Sequence, residues 1–156
     1  MKKILLTTIL LAASHFTYAD VIIESAYVRA VPPGQMNSAA FMQLKNKGEH
    51  EITLTKASSD VAKNVELHTH INDNGIMRMR KINDIKVPAG KIISLQPGGM
   101  HIMLIGLTRN LNIGDNIGLS LEFSDGTQQS LEIPVKDIMS MGNTHHMMHT
   151  PETKAE

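Results

Sequence analysis

The sequence contains no cysteine and no tryptophan, and its only aromatic residues are three Phe and two Tyr. Without cysteine there are no disulfides and no thiolate chemistry, so stability must come from a packed core. The 15 basic and 15 acidic residues balance, which leaves no basic surface of the kind that binds nucleic acid. No apolar run reaches the roughly 20 residues that a membrane-spanning helix needs. We therefore expect neither nucleic-acid binding nor stable membrane insertion.

Catalytic motifs are also missing. The chain has no His-Glu-x-x-His, no Ser-His-Asp signature and no obvious pair of positioned carboxylates. The sequence therefore favours a binding protein over an enzyme.

Residues 1–19 have the organisation of a secretory signal peptide. Lys2 and Lys3 precede an apolar run from Ile4 to Ala13, and Ala19 ends a short segment suited to cleavage. We expect cleavage after Ala19 and a periplasmic location. Because no cysteine lies near the cleavage region, we do not expect a lipid-anchored lipoprotein.

Residues 20–138 suit one domain with a single core. Short β-rich segments alternate with turns rich in Gly, Pro, Asn and Asp, and no segment keeps a helical period. This pattern predicts an all-β, antiparallel Greek-key sandwich or barrel. The predicted strands are Val21–Val31, Ala39–Asn46, Glu51–Ala57, Asn64–His70, Gly75–Lys81, Lys91–Gln96, His101–Gly106, Asn116–Phe123 and Gln128–Val135.

Strand alternation assigns side chains to faces, because successive residues point to opposite sides of a sheet. In the last two predicted strands it assigns to the core Ile117, Leu119, Leu121, Phe123, Leu131, Ile133 and Val135. In two earlier strands it separates apolar residues from candidate metal ligands. Val65 and Leu67 lie on one face of their strand, and His68 and His70 lie on the other. In the same way, Ile102 and Leu104 lie on the face opposite to His101 and Met103. Imidazole and thioether groups on an outer face favour a shallow metal site.

Methionine is abundant, with 11 residues beside 8 histidines. A single Met is usually core filler, and alternation with Arg78 and Arg80 by itself predicts a buried face for Met77 and Met79. If Met79 instead joins the histidines, the ligand set selects for copper. Thioether sulfur is soft and uncharged and favours Cu(I), whereas zinc normally recruits Cys, His or carboxylate.

The intervals between these residues match a known signature: His68, ten residues, Met79, twenty-one residues, then His101-x-Met103. The similarity extends to Val87-Pro88-Ala89-Gly90, to Pro97-Gly98-Gly99 and to Phe123-x-Asp125-Gly126. On these motifs the sequence resembles the PCuAC-type periplasmic copper chaperones.

The resemblance implies a cupredoxin-like β-sandwich that binds one Cu(I) through His68, Met79, His101 and Met103. It also implies copper supply to the copper centre of cytochrome oxidase, with cytochrome oxidase subunit II or a thioredoxin-like copper protein as candidate acceptor. His70 is additional to the signature, and it is a residue that supports the ligands from behind, an alternate ligand or an ordinary surface histidine.

Three functions other than copper delivery can be compared with the ligand set. A blue-copper electron carrier is excluded because its site needs a Cys thiolate. A copper scavenging or resistance protein would use the same ligands to sequester the metal. A structural β-sandwich with incidental His and Met is the third alternative.

Residues 139–156 differ in character from the domain, and we expect a flexible tail there. Its first part is dense in side chains that can bind Cu(II) or Cu(I). We expect a second, looser copper site drawn from Met139, Met141, His145, His146, Met147, Met148 and His149.

Overall fold

Residues 21–137 are described by a computed structural model. They form ten strands: β1 Val21–Arg29, β2 Asn37–Asn46, β3 Ile52–Ser58, β4 Ala62–Asp73, β5 Ile76–Lys81, β6 Ile85–Val87, β7 Ile92–Leu95, β8 His101–Leu107, β9 Asn116–Phe123 and β10 Gln128–Lys136. Between residues 21 and 137 there is no helix, and hence none that could cross a membrane. The predicted signal peptide, its cleavage site and the tail with its candidate ligands lie outside the described residues.

The strands follow one path in the order β5-β4-β8-β2-β1-β10-β9-β3-β6, and β7 pairs with β2 beside β8. A short parallel contact, Val28 with Val135 and Arg29 with Lys136, joins the β1 end of one layer to the β10 end of the other. All other strand pairs are antiparallel. The path therefore folds into a sandwich of two layers.

The core lies between the two layers. Most of the residues that alternation assigned to the core are buried there. Ile117, Leu119, Leu121 and Phe123 are each at most 2% exposed, and Ile133 and Val135 are equally buried. Leu131 was expected in the core but is only partly buried and packs against its margin. Ile102 and Leu104 are fully buried, so β8 is fixed to the core on one side.

The strand boundaries differ from the expected ones in a few places. β1 ends at Arg29 rather than Val31, before the turn that contains Pro32 and Pro33, where the missing N–H groups cannot continue a ladder. β4 continues to Asp73 because its hairpin with β5 is longer than expected. β6 was not predicted, since three residues next to Pro88 carry too little alternation to be recognised.

Candidate metal site

Three neighbouring strands place the four predicted ligands on one face of the sandwich. β4 pairs with β5 on one side and with β8 on the other, and the pairs include His70 with Met79 and His68 with His101. Residues directly opposite in an antiparallel pair lie on the same face. Met103 follows two residues after His101 and shares that face. The face is the one turned away from the core, because Ile102 and Leu104 occupy the other side of β8.

This pairing explains the spacing of the motif. Ten residues between His68 and Met79 close the β4–β5 hairpin so that the two side chains are diagonal neighbours. The longer interval to His101 carries the chain through β6 and β7 and back to the free side of β4.

A cavity of about 400 Å³ opens on this face. Among the residues that line it are His70, Met79, His101 and Met103, together with Phe41. His68 does not line the cavity, but its ring centroid lies 5.9 Å from that of His101. The structure therefore brings three of the four predicted ligands into one cavity and places the fourth beside it.

His101 is the most enclosed of these side chains, at 2% exposure. Its ring packs 6.2 Å from that of Phe41 and 5.2 Å from that of His70. The expectation of a shallow site is wrong at this position, because aromatic neighbours cover the outer face. Burial lowers the pKa of His101, a hydrogen bond to the Gly99 carbonyl opposes the shift, and the nearby imidazoles of His70 and His68 lower the pKa further.

The turn before β8 orients His101. Its backbone closes with a hydrogen bond from Gly99 N–H to the Gln96 carbonyl (3.0 Å), and Gly98 adopts φ of 79°, which suits glycine. The Gly99 carbonyl then accepts a hydrogen bond from Nδ1 of His101 at 3.0 Å. Nε2 of His101 is therefore the nitrogen with a free lone pair.

His68 is oriented by a different partner. Its Nε2 donates to Oε2 of Glu66 at 2.9 Å, while Oε1 of Glu66 accepts from the Lys81 ammonium at 2.8 Å. Those hydrogen bonds, first that of Lys81 and then that of His68, lower the pKa of Glu66. Nδ1 of His68 is buried and has no hydrogen-bond partner. A buried nitrogen without a partner is costly, and a bound metal would remove that cost.

Met77 and Met79 are 55% and 44% exposed, so the alternation pattern was wrong to predict a buried face for them. Every residue of β5 is exposed. The reason is that β5 lies at the end of the strand path, and none of its residues belongs to the core cluster. Met79 therefore lines the cavity while 44% of the residue stays exposed to solvent.

His70 is the residue of the cavity that the signature leaves out. It pairs directly with Met79, and its Nδ1 lies 3.4 Å from the Gly99 carbonyl. One signal in the sequence points to it, since it lies two residues after His68 and alternation places both on the same face. Its position opposite Met79 follows from the register of the hairpin.

The donor set determines which metal could be held. Within residues 21–137 no three His, Cys, Asp or Glu side chains are grouped so that they could hold a metal ion. A metal on this face would therefore need the thioethers of Met79 or Met103. Thioether with imidazole suits Cu(I) and disfavours hard cations.

Residues 21–135 match the family model described as “Putative lipoprotein LpqE-like”. The chain is 37% identical over 118 residues to “Putative lipoprotein Lxx21020” of Leifsonia xyli, covering 75% of this chain and 70% of that protein. It is 34% identical over 100 residues to “Uncharacterized protein RP573” of Rickettsia prowazekii, or 64% and 55% of the two chains. The chain belongs to the LpqE-like, or PCuAC, family. The resemblance noted in the sequence is thereby confirmed.

Solved structures of this family share the fold. The solution structure of Cu(I)-bound DR1885 from Deinococcus radiodurans is 31% identical, with a TM-score of 0.65 over 81% of this chain and 85% of that one. The copper-bound PCuAC domain from PmoF2 is 18% identical, with a TM-score of 0.66 over 78% and 97%. At that identity it supports the fold alone. The architecture is the cupredoxin-like β-sandwich that the resemblance implied.

Proposed function

We propose that this PCuAC protein is an exported copper chaperone. It binds one Cu(I) in the domain through His68, Met79, His101 and Met103 and delivers it to a copper-accepting protein. The observation that carries the proposal is the cavity on the outer face of β4, β5 and β8, where two thioethers and oriented imidazoles come together. The Cu(I)-bound form of DR1885, 31% identical to this chain, supports the same cargo.

The chemistry suits transport rather than catalysis. All four ligands are uncharged, so the bound ion keeps its charge and no thiolate is exposed to oxidation. His68 would bind through Nδ1 and His101 through Nε2, because their other nitrogens are engaged by Glu66 and by the Gly99 carbonyl. Binding and release of Cu(I) by these four side chains need no further reacting group.

The domain should bind one equivalent of Cu(I), and the affinity should depend on Met79. A titration with Cu(I) against a competing chelator should give one tight equivalent in a variant truncated after Asp137, which separates the domain from the tail. Met79→Leu preserves an apolar side chain of similar size and removes the sulfur. It should weaken that equivalent by about tenfold or more, because even the loss of a partner behind a ligand costs at least about tenfold. Met77→Leu is the matched control on the same exposed strand. Equal affinity in the two variants would contradict the assignment of Met79.

His70 provides a second prediction. It lines the cavity but stands outside the signature, so His70→Ala should weaken Cu(I) binding less than tenfold, in contrast to the larger effect of removing His101. The same competition titration measures both. A loss at His70 as large as that at His101 would make His70 a principal ligand.

A third prediction concerns pH. His68 and His101 must be unprotonated to bind, whereas thioethers do not titrate. Because burial holds the pKa of His101 below the reference value of about 6.5, the affinity for Cu(I) should be constant above pH 7 and fall below about pH 6. Competition titrations at pH 8, 7, 6 and 5 measure it. A flat profile down to pH 5 would mean that the methionines dominate.

Delivery must be distinguished from storage. As a chaperone the protein would act in the periplasm, and its acceptor would be cytochrome oxidase subunit II or a thioredoxin-like copper protein. Deletion of the gene should then reduce oxidase activity under copper limitation. Normal oxidase activity with reduced copper tolerance would instead favour a copper scavenging or resistance protein with the same ligands.

The proposed export and the proposed tail site rest on sequence. The lipoprotein name of the relative from Leifsonia xyli supports export. For the tail we propose a second copper site drawn from the Met and His residues between 139 and 149. Comparing copper stoichiometry before and after truncation at Asp137 tests it, and an unchanged stoichiometry would rule it out.

A further inference from the structure

Glu66, His68 and Lys81 form a chain of contacts beside the proposed copper site. Glu66 and His68 are two residues apart on β4 and share its outer face, and Lys81 is the residue of β5 directly opposite His68. The carboxylate uses both oxygens, one for the His68 ring at 2.9 Å and one for the Lys81 ammonium at 2.8 Å. Glu66 is also the direct partner of Met103 on β8. Glu66 is therefore a neighbour of two of the proposed ligands on this face.

The contact with Glu66 determines the tautomer of His68. An ionised carboxylate only accepts hydrogen bonds, so the hydrogen-bonded Nε2 must carry the proton of the neutral ring. The lone pair is then on Nδ1, which is buried and has no hydrogen-bond partner. In the opposite tautomer two lone pairs would face each other at the Glu66 contact.

We propose that Glu66, held by Lys81, is a positioning residue that keeps His68 in the Nε2–H tautomer and presents Nδ1 to Cu(I). This inference rests on the proposed function and goes beyond it, since neither residue belongs to the ligand signature. A carboxylate behind a metal-binding histidine orients the ring and raises its basicity. Lys81 completes the arrangement, because its ammonium holds the second oxygen and fixes the carboxylate in place.

The copper-free protein supplies the first test. Long-range proton–nitrogen NMR correlations of the His68 ring in the full-length protein should show Nε2 protonated and Nδ1 unprotonated. In Glu66→Gln the amide can donate as readily as accept, so the ring should populate both tautomers. Glu24→Gln is the matched control, because Glu24 also pairs with a lysine, Lys45, on a partly exposed surface, and it should leave the His68 signals unchanged. An Nδ1–H tautomer in the unmodified protein would overturn the proposal.

Cu(I) affinity supplies the second test. Glu66→Gln should weaken Cu(I) binding about 10-fold to 100-fold, the range found for partners behind metal ligands. Lys81→Met should weaken it by a smaller factor, since Glu66 remains. Glu24→Gln should have no effect, and thermal melts check that all variants are folded. An unchanged affinity in Glu66→Gln would overturn the proposal.

Copper binding at this face and the positioning role of Glu66 are distinguished by two variants. If copper does not bind at this face, Met79→Leu and Glu66→Gln both leave copper binding unchanged, and the proposed function fails as well. If copper binds there but Glu66 has no role, Met79→Leu weakens binding and Glu66→Gln does not.

Discussion

His101→Ala should lower the affinity of the domain for Cu(I) by at least about 100-fold. Loss of a partner behind a ligand already costs about 10-fold to 100-fold, and His101 is a proposed ligand itself. Its position supports a large effect, because it lines the cavity with 2% exposure and its Nδ1 is hydrogen-bonded to the Gly99 carbonyl. A competition titration with a Cu(I) chelator measures the change.

Controls separate this effect from damage to the fold. His50→Ala removes an exposed histidine and should leave the affinity unchanged. Met103→Leu removes a proposed ligand while keeping a similar volume, which cores tolerate well, so it should weaken binding without loss of stability. If His101→Ala binds Cu(I) within threefold of the unmodified protein, the site is elsewhere.

Ile102→Ala should destabilise the protein by about 2–5 kcal/mol, the usual cost of deleting a large buried aliphatic side chain. Ile102 is fully buried and lies between the two proposed ligands of β8. Ile102 is the cross-strand partner of Ala40 on β2 and of Leu67 on β4. Truncation of its side chain therefore leaves a void where three strands meet. Urea unfolding of the copper-free protein measures the free energy.

Ile92→Ala is the matched control, because Ile92 is 49% exposed and surface changes usually stay within about 0.5 kcal/mol. The copper affinity of folded Ile102→Ala should stay near that of the unmodified protein, since the proposed ligands project from the opposite face. A stability loss below about 1 kcal/mol would mean that β8 is not anchored by the core.

The fold could be predicted from the sequence because alternation and turn residues carry most of its information. Ile117, Leu119, Leu121 and Phe123 alternate along one strand, and all are buried as expected. Alternation tells which residues share a face, but it does not tell whether another layer covers that face. That is why Met79 was expected to be buried and is exposed on an edge strand.

The sequence predicted that the candidate ligands share one face, but not how they are arranged on it. Strand alternation groups His101 with Met103, and the interval from His68 to Met79 matches a hairpin. Enclosure of His101 depends on Phe41, whose ring comes from a strand distant in sequence. The contact of Glu66 with His68 depends on rotamers and on a lysine across the hairpin, which single-strand patterns do not determine.

The exposure of β5 bears on how cargo would leave. Of the proposed ligands, His101 and Met103 belong to a strand whose other face is fixed in the core, whereas Met79 belongs to the outermost strand and is 44% exposed. In the delivery that we propose, an acceptor that approaches from solvent would meet Met79 before the more enclosed His101. Exchange would then begin with replacement of the Met79 thioether, while the histidines still hold the metal. The order of the strands would thereby set the side of the site from which copper leaves.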